Sequence, residues 1–334
     1  MSRVFSGIQP TGDVHLGNYL GALKNWVTDQ HSFESVYCIV DLHAITIRQD
    51  PAELRQKSLE MGAALIAVGL DPDVCIIFLQ SQVHQHAELS WLLECTAGMG
   101  ELRRMVQFKD KAEKLGASAQ DSVSVGLFTY PVLQTSDILL YDTDRVPVGE
   151  DQRQHLELTR DIAQRFNTRY GKTFVIPEAF IPKSGAKVMD LQNPTAKMSK
   201  STDSPQGTVL LFEDPASIMK KLKRAVTDSE TEVRFDPEQK PGVSNLLTLL
   251  GIATGRKPQE VAKDYTRYGD LKVATGEAIV EMLLPIQARY TELMQDPATT
   301  LALLESGADK ATEIATVTMN RARDAMGFVP RTSS

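Results

Sequence analysis

Glycines, a histidine and an asparagine lie close together near the N-terminus, where a predicted strand gives way to a predicted helix. The segment 6–18 reads SGIQPTGDVHLGN. Glycine lets the backbone approach a ligand closely, and a helix N-terminus attracts anions. His15 and Asn18 add side chains that bond sugar or phosphate. The spacing is neither GxGxxG nor GxxxxGK[ST], and a glycine-rich turn with a surface histidine explains it equally well.

A loop of lysines and hydroxyl side chains past the middle of the chain is a second candidate site. It reads Lys197-Met198-Ser199-Lys200-Ser201. Such a loop, if mobile, neutralises a phosphate chain as negative charge builds on it, and stabilising a departing pyrophosphate is the natural use. A solvated linker is the alternative interpretation of the same residues.

An aspartate in an apolar context is the third candidate. The segment 130–140 reads YPVLQTSDILL, and its proline predicts a helix that begins at Pro131. If Asp137 is buried there, its carboxylate needs a donor or its pKa rises. An indole N–H, which only donates, matches it, and Gln134 lies on the same helix face. The residues alone favour an ion pair with a structural arginine.

Alternating strands and helices are expected to position these candidates. Apolar runs predict buried strands at 3–6, 36–40 and 75–79, as in a sheet covered on both faces. Capping residues and helical spacing predict helices at 18–27, 50–69, 86–98, 131–141 and 151–168. The fold class is therefore α/β, a Rossmann-like doubly wound parallel sheet that binds ligands at the carboxyl ends of its strands.

The pattern changes at about residue 193, where a second, smaller all-helical domain is predicted. Its helices are expected at 215–225, 243–253, 258–266, 272–295 and 309–326. We expect a catalytic domain over 1–192, the lysine–serine loop over 193–204, a helical domain over 205–292, and C-terminal helices over 293–334 that pack back toward the catalytic domain.

Composition narrows the class of protein. No apolar run approaches the roughly 20 residues that span a bilayer, and no targeting peptide is recognisable, so we expect a cytoplasmic protein without membrane contact. Cys38, Cys75 and Cys95 are too scattered for a disulfide framework or a metal site and are expected to be buried. The net charge of −7 argues mildly against nucleic-acid binding, but basic clusters such as Lys220–Arg224 stay candidates for it.

In combination, the first two segments resemble the signature motifs of class I aminoacyl-tRNA synthetases. His15-Leu16-Gly17-Asn18 is similar to their HIGH motif, with the final asparagine that the tryptophan branch uses, and Lys197 to Ser201 matches their KMSKS motif letter for letter. Further segments resemble bacterial tryptophanyl-tRNA synthetases over essentially the whole chain: FSGIQP at 5–10, VDLHAIT at 40–46, QFKDK at 107–111, VPVGEDQ at 146–152 and AVTDS at 225–229.

The resemblance implies an ATP-dependent tryptophan–tRNA ligase and assigns its site residues. Catalytic roles fall to His15, Asn18, Lys111, Lys197 and Lys200. ATP-binding roles fall to Gln9, Pro10, Thr11, Gly17, Asn18, Gly149, Glu150, Asp151, Val188, Lys197, Met198, Ser199, Lys200 and Ser201. Tryptophan-binding roles fall to Phe5, Gln9, His43, Tyr130, Gln134, Asp137, Val146, Val148 and Gln152, with Asp137 bonding the indole N–H. Such a site rejects ring analogues without the N–H by roughly 10⁴–10⁵, so no editing domain is required.

The same resemblance implies the substrates and partners. They are ATP with Mg²⁺, L-tryptophan and tRNA(Trp), the last read by the helical domain of a homodimer; no structural metal is expected. Many bacterial members have Met-Ala-Ala where this chain has Gln134-Thr135-Ser136, which predicts a more polar pocket wall. The alternatives are a specialised or regulatory copy of the same family, a tyrosyl-tRNA synthetase, and a small-molecule nucleotidylyltransferase, which would lack the helical domain.

Overall fold

Five parallel strands form one sheet in the part of the chain that the structure describes. The structure is a computed structural model and describes residues 1–105, 124–147, 153–180, 187–199 and 205–330. All four strand pairings are parallel, so the predicted α/β fold class is confirmed. The strands are β1 Arg3–Ile8, β2 Glu34–Ile39, β3 Ile76–Leu79, β4 Arg145–Pro147 and β5 Glu178–Phe180.

The strand order places a ligand crevice beside β1. The order across the sheet is β3-β2-β1-β4-β5, so the chain builds outward from β1 on one side and then continues on its other side. In such sheets ligands bind outside the carboxyl ends of the strands where the order reverses, which here is between β1 and β4. The chain leaves β1 toward His15, so the first candidate segment begins at this crevice.

Apolar side chains cover both faces of the sheet. Along β2, Val36 and Cys38 belong to one hydrophobic core, whereas Tyr37 and Ile39 belong to the other. This alternation follows from the two-residue period of a strand. It explains why the sequence of β2 is apolar at successive positions, as predicted for a strand that is buried on both sides.

Helices surround the sheet. Asp50 begins helix α4, Pro51–Ala67, by accepting hydrogen bonds from the N–H groups of Ala52 and Glu53 at 2.9 and 3.0 Å, as its sequence predicts. A π-helical segment, Tyr19–Leu23, joins α1 to α2. The helices of this half are α1 Leu16–Asn18, α2 Lys24–Asp29, α3 Asp41–Ala44, α4 Pro51–Ala67, α5 Gln85–Glu94, α6 Met99–Arg103, α7 Val125–Leu139 and α8 Arg153–Tyr170.

The second half of the chain is helical and shares a core with the first. Leu65 of the sheet-bound helix α4 and Leu246 of the later helices are buried in the same hydrophobic cluster. None of the helices that the structure describes has the length and apolar character needed to cross a membrane. The later helices are α9 Pro215–Lys223, α10 Pro241–Thr254, α11 Pro258–Val261, α12 Tyr268–Gln295 and α13 Pro297–Met326.

The last helix lies directly on an edge strand of the sheet. A Cβ atom built at Gly307 of α13 would lie 1.9 Å from the carbonyl oxygen of Ile77 in β3. No side chain fits in that space without moving the backbone of one element. Glycine at this position therefore allows the long C-terminal helix to dock on the catalytic sheet.

Gly307→Ala should lower the free energy of unfolding by about 1–3 kcal/mol or more, because a methyl group overpacks a contact between two backbones. Urea denaturation measures the change. Gly269→Ala is the matched control, since a Cβ at Gly269 of α12 would meet no atom within 4 Å. Equal unfolding midpoints for the two variants would show that α13 does not depend on this close contact.

Three local predictions are wrong. The helix that carries Asp137 begins at Val125 and contains Pro131 in its interior, because the Ser124 hydroxyl caps it by accepting from the N–H of Leu127 at 3.2 Å. The last helix begins at Pro297 rather than at 309, with the Asp296 side chain as its cap. Cys95 is exposed, whereas Cys38 and Cys75 are buried as expected.

Candidate active site

His15 and Asn18 hold each other in place at the start of α1. The Nδ1 atom of His15 accepts a hydrogen bond from the backbone N–H of Asn18, and the backbone N–H of His15 donates to Oδ1 of Asn18, both at 3.2 Å. This reciprocal pairing is a capping box. His15 is only 5% exposed, so the alternative of a surface histidine is wrong.

The pairing determines which polar atoms these two side chains can offer to a ligand. It uses the lone pair on Nδ1 of His15 and the acceptor oxygen of Asn18. A neutral imidazole with Nδ1 accepting carries its proton on Nε2, and the Asn18 amide nitrogen also carries hydrogens. In that tautomer Nε2 of His15 and Nδ2 of Asn18 are both N–H donors, and a pair of donors suits an anion and not a cation.

The histidine–glycine segment and the lysine–serine loop lie against each other. A Cβ atom built at Gly17 would be 3.0 Å from the ring of His15 and 3.5 Å from Cβ of Met198. Met198 is buried, and its N–H donates to the carbonyl of Val188 at 3.0 Å. Two segments about 180 residues apart in sequence thus form one wall of the crevice. Glycine at position 17 allows this close approach.

The segment that follows the loop also pairs with the histidine segment. The N–H of Leu16 donates to the carbonyl of Val209, and the N–H of Leu211 donates to the carbonyl of Val14, both at 2.8 Å. The hydroxyl of Thr208 donates to the carbonyl of Ser199 at 3.0 Å. The positions of the two candidate segments are therefore linked by backbone hydrogen bonds.

Asp137 is almost fully buried and receives three hydrogen bonds. The Nε2 atom of His43 donates to Oδ2, while Nε2 of Gln80 and Nδ1 of His86 donate to Oδ1, each at 2.7 Å. Tyr141 extends the network, since its hydroxyl lies 2.7 Å from Nε2 of His86. Among the described residues the partners of Asp137 are histidine and glutamine rather than arginine, so the predicted arginine pair is wrong.

The network keeps Asp137 ionised. Burial alone would raise the pKa of this carboxyl group, but the charge interaction and hydrogen bond of His43, together with those of His86, outweigh it and lower the pKa to about 2. At neutral pH the side chain is a carboxylate and only accepts hydrogen bonds. Oδ2 of Asp137 accepts one hydrogen bond from the described residues, and a carboxylate oxygen can accept two.

Aromatic side chains surround this carboxylate. Tyr130 lies two turns before Asp137 on the same face of α7, and its ring meets that of His43 edge to face with centroids 6.2 Å apart. Burial raises the pKa of Tyr130 to about 12, so its hydroxyl stays protonated. Phe5 of β1 stacks on Tyr141 with ring centroids 5.6 Å apart. Asp137 is therefore an ionised hydrogen-bond acceptor close to aromatic rings.

The chain is similar to proteins of known function along nearly its whole length. The family described as tRNA synthetases class I (W and Y) matches residues 1–284. The chain belongs to this family. It is 51% identical to tryptophan–tRNA ligase 2 of Streptomyces avermitilis, over 98% of this chain and 97% of the relative. It is 52% identical to tryptophan–tRNA ligase of Mycobacterium leprae, over 99% and 97%.

A solved structure shares the fold along nearly the whole chain. The tryptophanyl-tRNA synthetase of Campylobacter jejuni, complexed with ADP and tryptophan, superimposes with a TM-score of 0.85 at 37% identity, over 98% of this chain and 100% of that one. The predicted enzyme class, an aminoacyl-tRNA synthetase, is confirmed.

The remaining site residues of the synthetase that the structure describes differ in their exposure. Gln9 is exposed, Thr11 is half-buried and Pro10 is buried in the turn after β1, while Lys197 is exposed beside the buried Met198. Val146 of β4 is buried in the same core as Phe5. Eight predicted residues lie outside the described residues: Lys111, Val148, Gly149, Glu150, Asp151, Gln152, Lys200 and Ser201.

The prediction of a more polar pocket wall is wrong for two of its three residues. The hydroxyl of Thr135 donates to the carbonyl of Pro131 at 2.9 Å and lies 3.1 Å from that of Thr159 in α8. The hydroxyl of Ser136 donates to the carbonyl of His86 at 2.8 Å. Both side chains are fully buried between helices, and only Gln134 shares the face of Asp137.

The basic cluster at 220–224 does not act as one surface. Lys221 is 8% exposed, and its ammonium group donates to the carbonyl of Thr208 at 2.8 Å and pairs with Glu213 at 2.5 Å. Lys220, Lys223 and Arg224 are exposed. Lys221 is therefore a structural residue, and only the other three can contact nucleic acid.

Sequence reasoning missed Gln80, His86 and Tyr141, which complete the Asp137 network. One signal could have found Gln80. It is the first residue after β3, His43 is the fourth residue after β2, and neighbouring parallel strands end at the same edge of the sheet. Gln80 is fixed at both ends of its amide, because its Oε1 accepts from the N–H of Leu42 at 3.2 Å while its Nε2 donates to Asp137.

The lowered pKa of Asp137 predicts a dependence of stability on pH. A carboxyl group whose pKa is lower in the folded protein than in the unfolded chain stabilises the fold at pH values above its unfolded pKa, ordinarily 3.8. This stabilisation is lost as the pH falls toward about 2. The difference in unfolding free energy between the synthetase and Asp137→Asn should therefore shrink by about 2 kcal/mol between pH 5 and pH 2. Denaturant titrations of both proteins measure it; a constant difference would mean that Asp137 is not ionised by this network.

Proposed function

We propose that this chain is a tryptophan–tRNA ligase, which activates L-tryptophan with ATP and transfers it to the 3′-terminal adenosine of tRNA(Trp). The buried, ionised carboxylate of Asp137 is the observation that carries the proposal. It offers Oδ2 to one further donor beside the rings of Tyr130 and His43. Relatives named tryptophan–tRNA ligases at 51% and 52% identity support the same substrate.

Asp137 selects the side chain of the substrate. The indole N–H donates to Oδ2 while the indole ring lies among Phe5, His43, Tyr130 and Val146. The protein donors to Asp137 are rigidly held, so the carboxylate cannot turn away to find another partner. A ring without an N–H leaves a buried acceptor unpaired, and a site of this kind rejects such analogues by roughly 10⁴–10⁵.

The HIGH-like segment and the KMSKS loop catalyse the activation step. The carboxylate oxygen of tryptophan attacks the α-phosphorus of ATP, the bond to the bridging oxygen of the β-phosphate breaks, and pyrophosphate leaves. His15 and Asn18 present N–H donors to the phosphate as charge builds on it, and Lys197, Lys200 and Lys111 hold the leaving pyrophosphate. Mg²⁺ enters with the ATP phosphates as part of the substrate and neutralises their charge.

The second step transfers the amino acid. A hydroxyl of the terminal adenosine, the 2′-hydroxyl, attacks the carbonyl carbon of tryptophanyl-adenylate, and AMP leaves with its phosphate oxygen. No covalent bond to the enzyme is needed, so catalysis rests on positioning and electrostatics. Gln9, Tyr130 and Gln152 hold the ammonium and carboxylate of tryptophan during both steps.

The helical half of the chain would bind the tRNA. Residues 205–292 would read the anticodon, with exposed Lys220, Lys223 and Arg224 among the contacts, and residues 293–334 would fasten this half to the catalytic domain. A tRNA-charging enzyme acts where its tRNA is used, which places it in the cytoplasm.

We propose a homodimer whose interface includes the surface of α5, α6 and the start of α7. Large apolar side chains are exposed there, with Trp91 at 64%, Met99 at 60% and Val125 at 76%. Exposed large apolar side chains of this kind commonly mark a protein–protein contact. In the dimer each tRNA bridges both subunits.

Charging assays test the function. The purified protein should load tryptophan onto a tRNA(Trp) transcript in the presence of ATP and Mg²⁺, and should load neither tyrosine onto tRNA(Trp) nor tryptophan onto tRNA(Tyr). Charging of tRNA(Tyr) with tyrosine would replace the proposal with a tyrosyl-tRNA synthetase. Formation of an adenylate without charging of either tRNA would point to a specialised copy of the family.

A further inference from the structure

We infer that Gln287 is a positioning residue for the activation step, acting through a segment that we name the strap, residues 208–213. The inference rests on the proposed function. The strap follows the KMSKS loop in the chain and lies between the HIGH-like segment and helix α12. Its position is fixed by contacts on both sides.

On its catalytic side the strap is tied to both ATP motifs. Backbone hydrogen bonds of 2.8 Å join Leu16 to Val209 and Leu211 to Val14, on either side of His15. The side chain of Thr208 reaches the carbonyl of Ser199 in the KMSKS loop at 3.0 Å. A shift of the strap therefore displaces both the HIGH-like segment and the loop.

On its helical side the strap is held by Gln287. The side-chain amide nitrogen of Gln287 donates to the carbonyls of Leu211 and Glu213 at 2.9 and 3.0 Å. Between these two carbonyls, Phe212 stacks on Tyr290 with ring centroids 3.8 Å apart and planes inclined by 14°. Gln287 and Tyr290 are three residues apart and share one face of α12.

Helix α9 contacts both ends of the strap. The buried ammonium group of Lys221 donates to the carbonyl of Thr208 at 2.8 Å and pairs with Glu213. Side chains of two helices thus hold both ends of a segment whose middle pairs with the HIGH-like motif. No residue in this arrangement lies in the Asp137 network, so the strap affects the ATP side of the site and not the tryptophan side.

The contact between Gln287 and the strap matters because catalysis requires precise placement of the groups that bind the phosphates. Activation depends on donors that are fixed relative to the α-phosphate and the leaving pyrophosphate, and small displacements of such donors are costly. Loss of the Gln287 amide leaves two strap carbonyls without its N–H donors and allows the strap to move. The expected consequence is weaker use of ATP with unchanged use of tryptophan.

The test compares Gln287→Met with the whole, unmodified chain in ATP–pyrophosphate exchange. Methionine keeps the length of the side chain and removes both donors. We expect kcat/KM for ATP to fall about tenfold or more and KM for tryptophan to stay within twofold. Gln287→Arg, which restores N–H donors, should recover most of the loss, and Gln295→Met, at an exposed glutamine of the same helix, should have no effect.

The outcomes separate this inference from the proposed function. If the unmodified chain shows no tryptophan-dependent exchange, the proposed function fails. If it is active and Gln287→Met has the same constants for ATP, or loses ATP and tryptophan use equally, the positioning role is wrong. Tyr290→Leu removes the stacking contact without touching the amide and serves as a second variant if Gln287→Met does not fold; it should change the ATP constants in the same direction.

Discussion

Asp137→Asn should lower kcat/KM for tryptophan in ATP–pyrophosphate exchange by about 10³-fold or more. The side chain keeps its shape, but its amide turns N–H donors toward a site where His43, Gln80 and His86 already donate. A buried donor that faces another donor costs the full desolvation of both groups. The indole N–H then also loses its only acceptor.

A tryptophan analogue that lacks the indole N–H distinguishes a loss of substrate recognition from a loss of folding. Replacing tryptophan by 3-(1-benzothiophen-3-yl)alanine keeps the ring and removes the donor, so the unmodified enzyme should discriminate between the two by roughly 10⁴. In Asp137→Asn this discrimination should largely disappear. Asp309→Asn, at an exposed position of α13, is the control. Equal discrimination by the enzyme and the Asp137 variant would remove Asp137 from tryptophan recognition.

His15→Ala should lower kcat for exchange by about 10²–10³, the usual loss when one transition-state donor is removed. The effect on KM for ATP should be small, because the Nε2–H donor acts on charge that develops during the reaction and not on the ground state. The substitution also removes the acceptor for the N–H of Asn18, so part of the loss comes from a less ordered Asn18.

Two further variants separate the loss of the Nε2–H donor from the loss of order at Asn18. His15→Asn retains a side-chain acceptor for the helix start and should recover the order of α1 without recovering the full rate. His31→Ala changes an exposed histidine outside the site and should leave the rate unchanged. A loss for His15→Ala that appears only in KM would mean that His15 binds ATP and does not stabilise the transition state.

Local sequence features predicted the scaffold well. The cap at Asp50 and the apolar run of β2 each depend on neighbouring residues alone, so their patterns were sufficient. Pro131 misled the prediction of α7 because proline favours the first turn of a helix, whereas Ser124 provides the actual cap. At its interior position Pro131 removes one backbone hydrogen bond of the helix.

The site was predicted in part. The resemblance gave Asp137, His43 and Tyr130, which the structure brings together, but the donors Gln80 and His86 lie 57 and 51 residues before Asp137 and depend on tertiary packing. The directions in which the side chains of Thr135 and Ser136 point, relative to that of Asp137, were predictable. Successive helical residues are about 100° apart, so neither can share the face of Asp137.

The buried Lys221 shows a limit of charge patterns. Its sequence places it among exposed basic residues, yet it neutralises Glu213 and holds the strap. A run of lysines predicts a positively charged surface. The helix phase and the packing partners determine which of the lysine side chains are exposed to solvent.

The most direct test of the central claim is ATP–pyrophosphate exchange measured with each of the twenty amino acids in turn. We predict exchange with tryptophan and rates near background with the other nineteen, tyrosine included, because the proposed function has Asp137 accept a hydrogen bond from the indole N–H. Exchange driven by tyrosine, or no exchange from a folded protein, would contradict the account.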